Sequence, residues 1–269
     1  MIDEHIAIFN KSIIVVAHPD DEILWLSSAV NKVDKVVFCF EDCADAPELG
    51  PGRRKAVSEY PLPNVSSLGI AESLSFNMAD WKNPVETPYG IGITKSRAVN
   101  ARYRKNYSRL ENSLLPILEN YDNVFTHNPW GEYGHEDHVQ VFRTVETLQR
   151  KMNFNLWFSN YCGNRSVDLM LHRVSGFSSD YITLPTNGAL ASELHNLYKK
   201  NKCWTWYDDY QWFNEESFIK NHAGQSAGKS YGHIFPLNFI KTNFSEPGGP
   251  NITKRIAQTL RRKIPSFRR

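Results

Sequence analysis

The chain has 269 residues, of which 41% are hydrophobic and 22% are charged, and its formal net charge is +2 at pH 7. This composition excludes disordered and collagen-like proteins, and the small net charge excludes a strongly basic nucleic-acid-binding protein. The longest clean apolar run covers residues 13–17, far below the ~18 residues that a membrane span requires. An acidic N-terminus, unlike a signal peptide, and four scattered cysteines predict a reduced, cytoplasmic setting.

Short apolar strands alternate with helical patterns along the chain. Residues 12–17 and 35–40 are β-branched runs without polar alternation, which is typical of strands buried on both faces of a parallel sheet. After the polar run of residues 18–22, residues 23–30 carry a helical pattern, and residues 41–52 are rich in acidic residues, Pro and Gly and predict a loop. Further predicted helices are residues 53–60, 94–120, 136–150, 189–201 and 209–221, and further predicted strands are residues 73–77, 123–126, 155–159 and 167–174. The alternation predicts an α/β protein with an open, mostly parallel sheet and helices on both faces.

Two polar clusters follow predicted strands, His18 with Asp21 and His135 with His138. The carboxyl ends of parallel strands share one crevice, so the two clusters are expected to meet although they are far apart in sequence. Imidazole and carboxylate are ligands that zinc accepts, and a catalytic zinc site uses three protein ligands and a water. The sequence therefore predicts a metal site at this edge of the sheet.

Simpler interpretations of the same residues remain open. Asp20 or Asp21 is also suited to cap the helix that follows, a common role for aspartate. His135 or His138 alone is more typical of a hydrogen-bonded, partly buried histidine than of a metal ligand. The remaining histidines with weaker claims are interpreted as mainly structural: His127, His172, His195, His222 and His233.

The two clusters lie in longer motifs. Residues 17–22 read Ala-His-Pro-Asp-Asp-Glu after a hydrophobic strand, and residues 133–138 read Tyr-Gly-His-Glu-Asp-His. Together these motifs resemble those of the PIG-L/LmbE-like N-acetylglucosaminyl deacetylases, and the resemblance covers residues 12–150. Residues 52–69 are similar to the arginine-bearing helix of that family. Residues 220–225 weakly resemble its late histidine–glutamine element, with glycine at 224 where serine is usual.

The resemblance implies zinc-dependent amide hydrolysis on a Rossmann-like scaffold, with ferrous iron as the alternative metal. By motif position, His18, Asp21 and His138 would hold the metal, and Asp20 would be the general base that activates metal-bound water. Zinc brings the pKa of a bound water to about 7, and a free aspartate with a pKa of about 3.9 is ionised at that pH. The other implied site residues are the catalytic residues Tyr133, His135 and Asp137 and the substrate contacts Glu22, Arg54 and Trp130.

The role of His135 divides into two possibilities. It would either stabilise the oxyanion or protonate the leaving amine, and Tyr133 would assist at the carbonyl oxygen. The helix N-terminus opposes protonation of His135, whereas Asp137 and the developing oxyanion favour it. The sequence does not decide which effect is larger.

Aromatic side chains concentrate in one later segment: Trp204, Trp206, Tyr207, Tyr210, Trp212 and Phe213. Flat rings pack against the apolar faces of sugars, so the segment suits a glycan platform. A packed core explains most of these residues better. Tyr207, together with Trp130 from the motif loop, is expected to line the site.

Residues 247–269 form a basic tail that follows a deacetylase-like domain at residues 1–246. The tail holds seven of the 31 Lys and Arg residues and no Asp or Glu, so the rest of the chain is net negative. Ile252, Ile256 and Leu260 recur every four residues and predict an amphipathic helix with basic flanks. Such a helix suits peripheral contact with an anionic membrane, and a helix docked on its own domain or a frayed tail explains the pattern equally.

The predicted function is removal of the N-acetyl group from an N-acetylated amino sugar, carried as a glycan, a nucleotide sugar or a lipid-linked intermediate, as in polysaccharide biosynthesis. One alternative is an amidase acting on another small sugar conjugate. Another is a non-catalytic carbohydrate-binding protein with the same fold. Asp20 and His135 argue against the last alternative, because a binding module needs no base beside a metal.

Overall fold

The computed structural model describes residues 7–42, 46–174, 180–222 and 235–242. The predicted basic tail, residues 247–269, lies outside the described residues. At the centre is a seven-stranded sheet. Its strands are β1 (Ser12–Val16), β2 (Lys35–Phe40), β3 (Val65–Ile70), β6 (Asn123–Thr126), β7 (Asn155–Ser159), β9 (Tyr181–Pro185) and β10 (Glu215–Asn221). They lie side by side in the order β3-β2-β1-β6-β7-β10-β9.

The neighbours from β3 to β7 pair in parallel, whereas β10 is antiparallel to both β7 and β9. Two small two-stranded sheets complete the described strands. Their members are β4 (Glu86–Thr87) with β5 (Gly90–Ile91), and β8 (Tyr161–Gly163) with β11 (Asn238–Ile240). The mostly parallel sheet confirms the predicted α/β class.

Helices cover both faces of the sheet. They are α1 (Asp21–Trp25), α2 (Leu49–Ser58), α3 (Arg97–Leu118), α4 (Glu136–Lys151), α5 (Val167–Val174) and α6 (Gly188–Lys200). Alternate residues of β1 enter two different cores because successive side chains of a strand point to opposite faces. Ile13 packs in the core that contains Leu110 of α3 and Val145 of α4, and Ile14 packs in the core that contains Leu194 of α6. None of the described helices is both long enough and apolar enough to cross a membrane.

The strand order reverses between β1 and β6, which lie side by side in parallel register from Ser12 opposite Asn123 to Val15 opposite Thr126. In open α/β sheets the crevice beyond the carboxyl ends of the strands at such a switch point is the usual ligand site. The segments that follow β1 and β6 leave the sheet at this place, and they carry both polar clusters.

Four predicted elements differ from the structure. The third strand is β3, Val65–Ile70, and not residues 73–77. Its sequence Val-Ser-Ser-Leu-Gly-Ile has no continuous apolar run to indicate a strand, and only Ile70 is buried. Residues 167–174 form helix α5 rather than a strand, and their apolar residues at 167, 170, 171 and 174 recur at helical spacing. Residues 209–221 contain strand β10 rather than a helix, and α2 begins at Leu49, four residues before the predicted start.

Helix α1 also differs from the predicted helical pattern of residues 23–30, because it begins at Asp21 and already ends at Trp25. The chain turns there, since Ser27 and Ser28 donate their backbone and hydroxyl hydrogens to the carboxylate of Glu216 on β10, at 2.6–3.3 Å. Tyr161 donates a fifth hydrogen bond to the same carboxylate at 2.9 Å. Serine donors that leave the helical pattern in this way end a helix.

Glu216→Gln is expected to destabilise the protein by about 2–4 kcal/mol, because an amide nitrogen would face buried donors that now share a carboxylate. Urea unfolding at neutral pH measures this change. Glu215→Gln is the matched control, since the neighbouring side chain is exposed, and it should change stability by less than ~0.5 kcal/mol. Equal stability of the two variants would contradict the anchoring role of Glu216.

Candidate metal centre

The segments after β1 and β6 bring His18, Asp21 and His138 together. One ligand atom from each lies within 4.8 Å of the others, and all three side chains are buried. His18 comes from the turn between β1 and α1, Asp21 is the first residue of α1, and His138 lies in the first turn of α4. The structure therefore assembles the three residues to which the motif resemblance gave the metal.

Asp21 lies at the centre of the cluster. Its Oδ2 accepts the backbone N–H of His18 at 2.7 Å and lies 3.2 Å from His18 Nδ1, and its Oδ1 lies 3.2 Å from His138 Nε2. Trp25 Nε1 donates to Oδ1 at 3.0 Å. Burial opposes the charged form, but His138 and the neighbouring histidines hold the pKa of Asp21 well below its usual range. Asp21 is thus a fixed carboxylate.

His138 is oriented by Glu132, a residue that the sequence analysis did not single out. His138 Nδ1 lies 2.8 Å from Glu132 Oε2 and donates to it, which turns Nε2 toward Asp21. This arrangement, a carboxylate behind an imidazole, is the usual support of a histidine ligand. Burial lowers the pKa of His138, but Asp21 and Glu132 raise it to about 9.

His127 also belongs to this support, although the sequence analysis interpreted it as structural without a place near the site. Its Nε2 accepts the backbone N–H of Ala17 at 2.8 Å, so its ring proton lies on Nδ1, which is 3.1 Å from Glu132 Oε2. Glu132 also accepts from Asn128 N–H and the Ser159 hydroxyl through Oε1. Burial opposes its ionisation, but His127 and His138 hold the pKa of Glu132 at about 2.

The other ring nitrogen of His18 faces two further carboxylates. Its Nε2 lies 3.5 Å from Glu72 Oε1 and 3.6 Å from Asp137 Oδ2. Asp137 is held in place by the Ser75 hydroxyl, which donates to Oδ1 at 2.7 Å. Burial lowers the pKa of His18, but Glu72, Asp137 and Asp21 raise it to about 9.

His135 caps α4 through its ring. Its Nδ1 accepts the backbone N–H of Asp137 at 3.1 Å, so a neutral His135 carries its proton on Nε2. Burial and the neighbouring His138 and His18 hold the pKa of His135 well below its usual range. The structure therefore favours a neutral imidazole at His135 over an imidazolium. The sequence alone did not decide between these two protonation states.

Asp20 does not cap α1 with its side chain, although it occupies the N-cap position. Its backbone has φ 112°, a strained conformation for a residue other than glycine. Its Oδ2 accepts the backbone N–H of Thr205 at 3.0 Å and the Thr205 hydroxyl at 2.8 Å. Burial and the adjacent Asp21 raise the pKa of Asp20 to about 7, against the opposing effect of Arg53.

The predicted substrate contact Arg54 pairs with two acidic residues that follow β2. The Arg54 side chain is 49% exposed and pairs with Asp42 at 2.5 Å and Glu41 at 3.1 Å. The neighbouring Arg53 side chain is buried and pairs with Glu72 at 2.5 Å. Glu72 Oε1 in turn lies 3.5 Å from His18 Nε2. The helix α2 thus turns Arg53, and not Arg54, toward the metal centre.

Glu22 and Trp130, the two other predicted substrate contacts, are both buried. Glu22 Oε1 accepts from the Tyr198 hydroxyl at 2.6 Å and the Tyr60 hydroxyl at 3.0 Å, and its Oε2 accepts the backbone N–H of Asp20. Burial raises the pKa of Glu22 to about 8. The ring of Trp130 packs in the core, and its indole N–H donates to the carbonyl oxygen of Tyr161 at 2.7 Å.

Tyr133 stands beside the histidines, with its ring centroid 5.8 Å from that of His135 and 5.4 Å from that of His138. Burial and Asp21 hold the pKa of Tyr133 well above its usual range, so its hydroxyl is protonated. The ring of Trp206 packs on Tyr133 with centroids 4.6 Å apart. In the late motif, His222 pairs with Asp180 at 3.0 Å, and residues 223–225 lie outside the described part of the chain.

The residues present fit a divalent metal. His18 Nε2 and His138 Nε2 are buried and have no hydrogen-bond partner among the described residues, although carboxylates surround them. Buried polar atoms are normally satisfied, so such atoms require an explanation. A cation bound among these imidazole and carboxylate donors would give such nitrogens a partner, and this donor set suits zinc and ferrous iron.

Comparisons with known proteins support the fold. No family model matches the chain. The uncharacterized protein L374 of Acanthamoeba polyphaga mimivirus is 24% identical over 176 residues, which cover 63% of this chain and 69% of that protein. A crystal structure of a deacetylase–teicoplanin complex from teicoplanin biosynthesis covers 78% of this chain and 98% of its own, at 10% identity and a TM-score of 0.50. The two chains share a fold. The zinc-inhibited form of teicoplanin deacetylase Orf2 aligns over 72% of this chain and 85% of its own, at 12% identity and a TM-score of 0.46.

Proposed function

We propose that the chain is a divalent-metal-dependent hydrolase that removes the N-acetyl group from an N-acetylated amino sugar. The observation that supports the proposal is a buried group of three residues placed so that it could hold a metal, His18, Asp21 and His138, with a strained, buried aspartate directly beside it. The motif resemblance to PIG-L/LmbE-like deacetylases and the fold shared with a deacetylase acting in teicoplanin biosynthesis point to the same chemistry.

His18, Asp21 and His138 would hold the metal, which would supply a Lewis acid that polarises the amide carbonyl and lowers the pKa of water. Asp20 is the general base. Thr205 occupies its Oδ2, so Oδ1 is the oxygen that takes the proton of the attacking water. A base whose pKa lies near the working pH is the most effective in proton transfer, and burial together with the adjacent Asp21 raises the pKa of Asp20 in that direction.

His135 donates to the developing oxyanion. Its Nδ1 is occupied by the backbone N–H of Asp137, so the Nε2–H is the donor that faces away from the helix. A neutral imidazole is sufficient for this role, because a hydrogen bond to a developing negative charge in a dry site contributes strongly to catalysis. The proton that Asp20 has accepted then goes to the leaving amine, so that base and acid are one group.

Release of acetate tests the proposal. The full chain is loaded with Zn²⁺ or Fe²⁺ and incubated with free, nucleotide-linked and lipid-linked N-acetylated amino sugars, and His138→Gln and His195→Gln are compared in parallel. We expect acetate from at least one compound, loss of release with a chelator or with His138→Gln, and no loss with His195→Gln. A metal-loaded protein that releases acetate from none of them contradicts the proposal, and cleavage of another sugar amide would favour the amidase alternative.

A further inference from the structure

A segment of the C-terminal half reaches into the metal centre, and the motif resemblance does not cover it. Residues 203–206 connect α6 to the chain that leads into β10. Thr205 donates both its backbone N–H, at 3.0 Å, and its hydroxyl, at 2.8 Å, to Oδ2 of Asp20. These two residues are 185 positions apart in the chain, and their contact is buried on the Asp20 side.

The segment is fixed on both sides of Thr205. Cys203 donates its backbone N–H to the carbonyl oxygen of Tyr198 at 3.0 Å, and its side chain is fully buried. On the other side, the ring of Trp206 packs against Tyr133 at 4.6 Å and against Trp25 at 5.2 Å. The position of Thr205 is therefore fixed by contacts of Cys203 and Trp206 that do not involve Asp20.

Both donors of Thr205 bind the same carboxylate oxygen of Asp20. The backbone of Asp20 is also held by a hydrogen bond. Glu22 Oε2 accepts the N–H of Asp20 at 3.1 Å, at the residue with φ 112°. With Oδ2 bound twice, the carboxylate plane has one orientation, and Oδ1 is the oxygen that Thr205 leaves for the reaction. A base held in this way needs no reorientation when the water arrives.

We propose that Thr205 is a positioning residue that fixes Asp20 so that Oδ1 receives the proton of the attacking water. The proposal rests on the proposed function, because that function makes Asp20 the base. In the step concerned, one O–H bond of water breaks while an O–H bond forms at Oδ1. Thr205 exchanges no proton in this step and contacts only Oδ2.

Steady-state kinetics of Thr205→Val and Thr205→Ser test the proposal in the metal-loaded full chain. Valine keeps the shape and the backbone donor but removes the hydroxyl donor, whereas serine retains it. We expect Thr205→Val to lower kcat about 10- to 100-fold, the usual effect of losing a supporting hydrogen bond at a metal centre, with KM and metal content unchanged. Serine should restore most of the lost kcat.

Thr183→Val is the matched control, since the Thr183 hydroxyl bonds to Ser217 within the sheet at 2.8 Å, away from the cluster. It should leave kcat unchanged. Full activity of Thr205→Val, an equal loss with serine, or a loss explained by lower metal content would each overturn the positioning role.

A thermodynamic cycle separates failure of this proposal from failure of the proposed function. Asp20→Gly suits the positive φ and removes the acceptor, so it is combined with Thr205→Val in urea unfolding. We expect Thr205→Val to lower the folding equilibrium constant about 10-fold more in the wild-type background than in Asp20→Gly. If no substrate releases acetate, the proposed function fails, and non-additivity still supports the contact. Additive effects overturn the positioning role whatever the activity.

Discussion

Asp20→Asn is expected to lower kcat by about 10²–10⁴, the range that a general base contributes. Asparagine has nearly the same shape as aspartate, tolerates a positive φ, and can still accept from Thr205, but it cannot take a proton from water. The metal ligands are unchanged, so metal content and KM should stay close to those of the wild type. Steady-state acetate release and metal analysis of the purified protein measure these quantities.

Asp122→Asn is the control for this variant, because the Asp122 side chain is 65% exposed and pairs with Lys11 on the surface. It should retain wild-type kcat. An Asp20→Asn protein that kept more than about a tenth of wild-type kcat would remove Asp20 from the role of base, and the proposed mechanism with it.

Glu132→Gln is expected to weaken both metal binding and the fold. An amide nitrogen would face the ring N–H of His127 or His138, both of which now donate to Glu132 Oε2. A buried donor without an acceptor costs about 1–3 kcal/mol, and loss of the carboxylate behind a ligand histidine reduces metal affinity about 10- to 100-fold. Urea unfolding and zinc titration against a competing chelator measure the two effects.

The pH dependence of stability provides a second readout of Glu132. Its pKa in the folded protein is about 2, below the ordinary value of 4.5. A lowered pKa contributes stability that is present above pH ~4.5 and is lost as the pH falls toward 2. The stability difference between the wild type and Glu132→Gln should therefore narrow by about 2 kcal/mol between pH 5 and pH 3.

Glu111→Gln is the control for both measurements, because Glu111 pairs with Lys151 on the surface. It should change stability by less than ~0.5 kcal/mol and leave zinc affinity unchanged. Wild-type zinc affinity in Glu132→Gln would contradict the role of Glu132 in orienting His138.

The meeting of the two polar clusters could be predicted from the sequence because simple rules place them. The apolar runs of β1 and β6 are typical of strands buried on both faces, and the segments that carry His18, Asp21 and His138 follow these strands. The carboxyl ends of neighbouring parallel strands meet at one edge, so the two segments had to converge.

The residues that orient the side chains of the candidate site could not be found by the same rules. Glu132, His127 and Thr205 act through hydrogen bonds whose geometry depends on loop conformation, and Thr205 is 185 positions from its partner. The choice between Arg53 and Arg54 depends on the rotational phase of α2, which begins four residues before its predicted start. Residues 167–174 are a different case, because their apolar residues recur at helical spacing and the strand prediction overlooked this pattern.

Zinc K-edge X-ray absorption of the zinc-loaded full chain tests most directly whether the buried cluster is a metal centre. We expect a first shell of nitrogen and oxygen at about 2.0–2.1 Å, with the multiple scattering of two imidazoles from His18 and His138. His138→Gln should reduce the imidazole count to one. A wild-type spectrum without imidazole scattering, or one that His138→Gln leaves unchanged, would contradict the account.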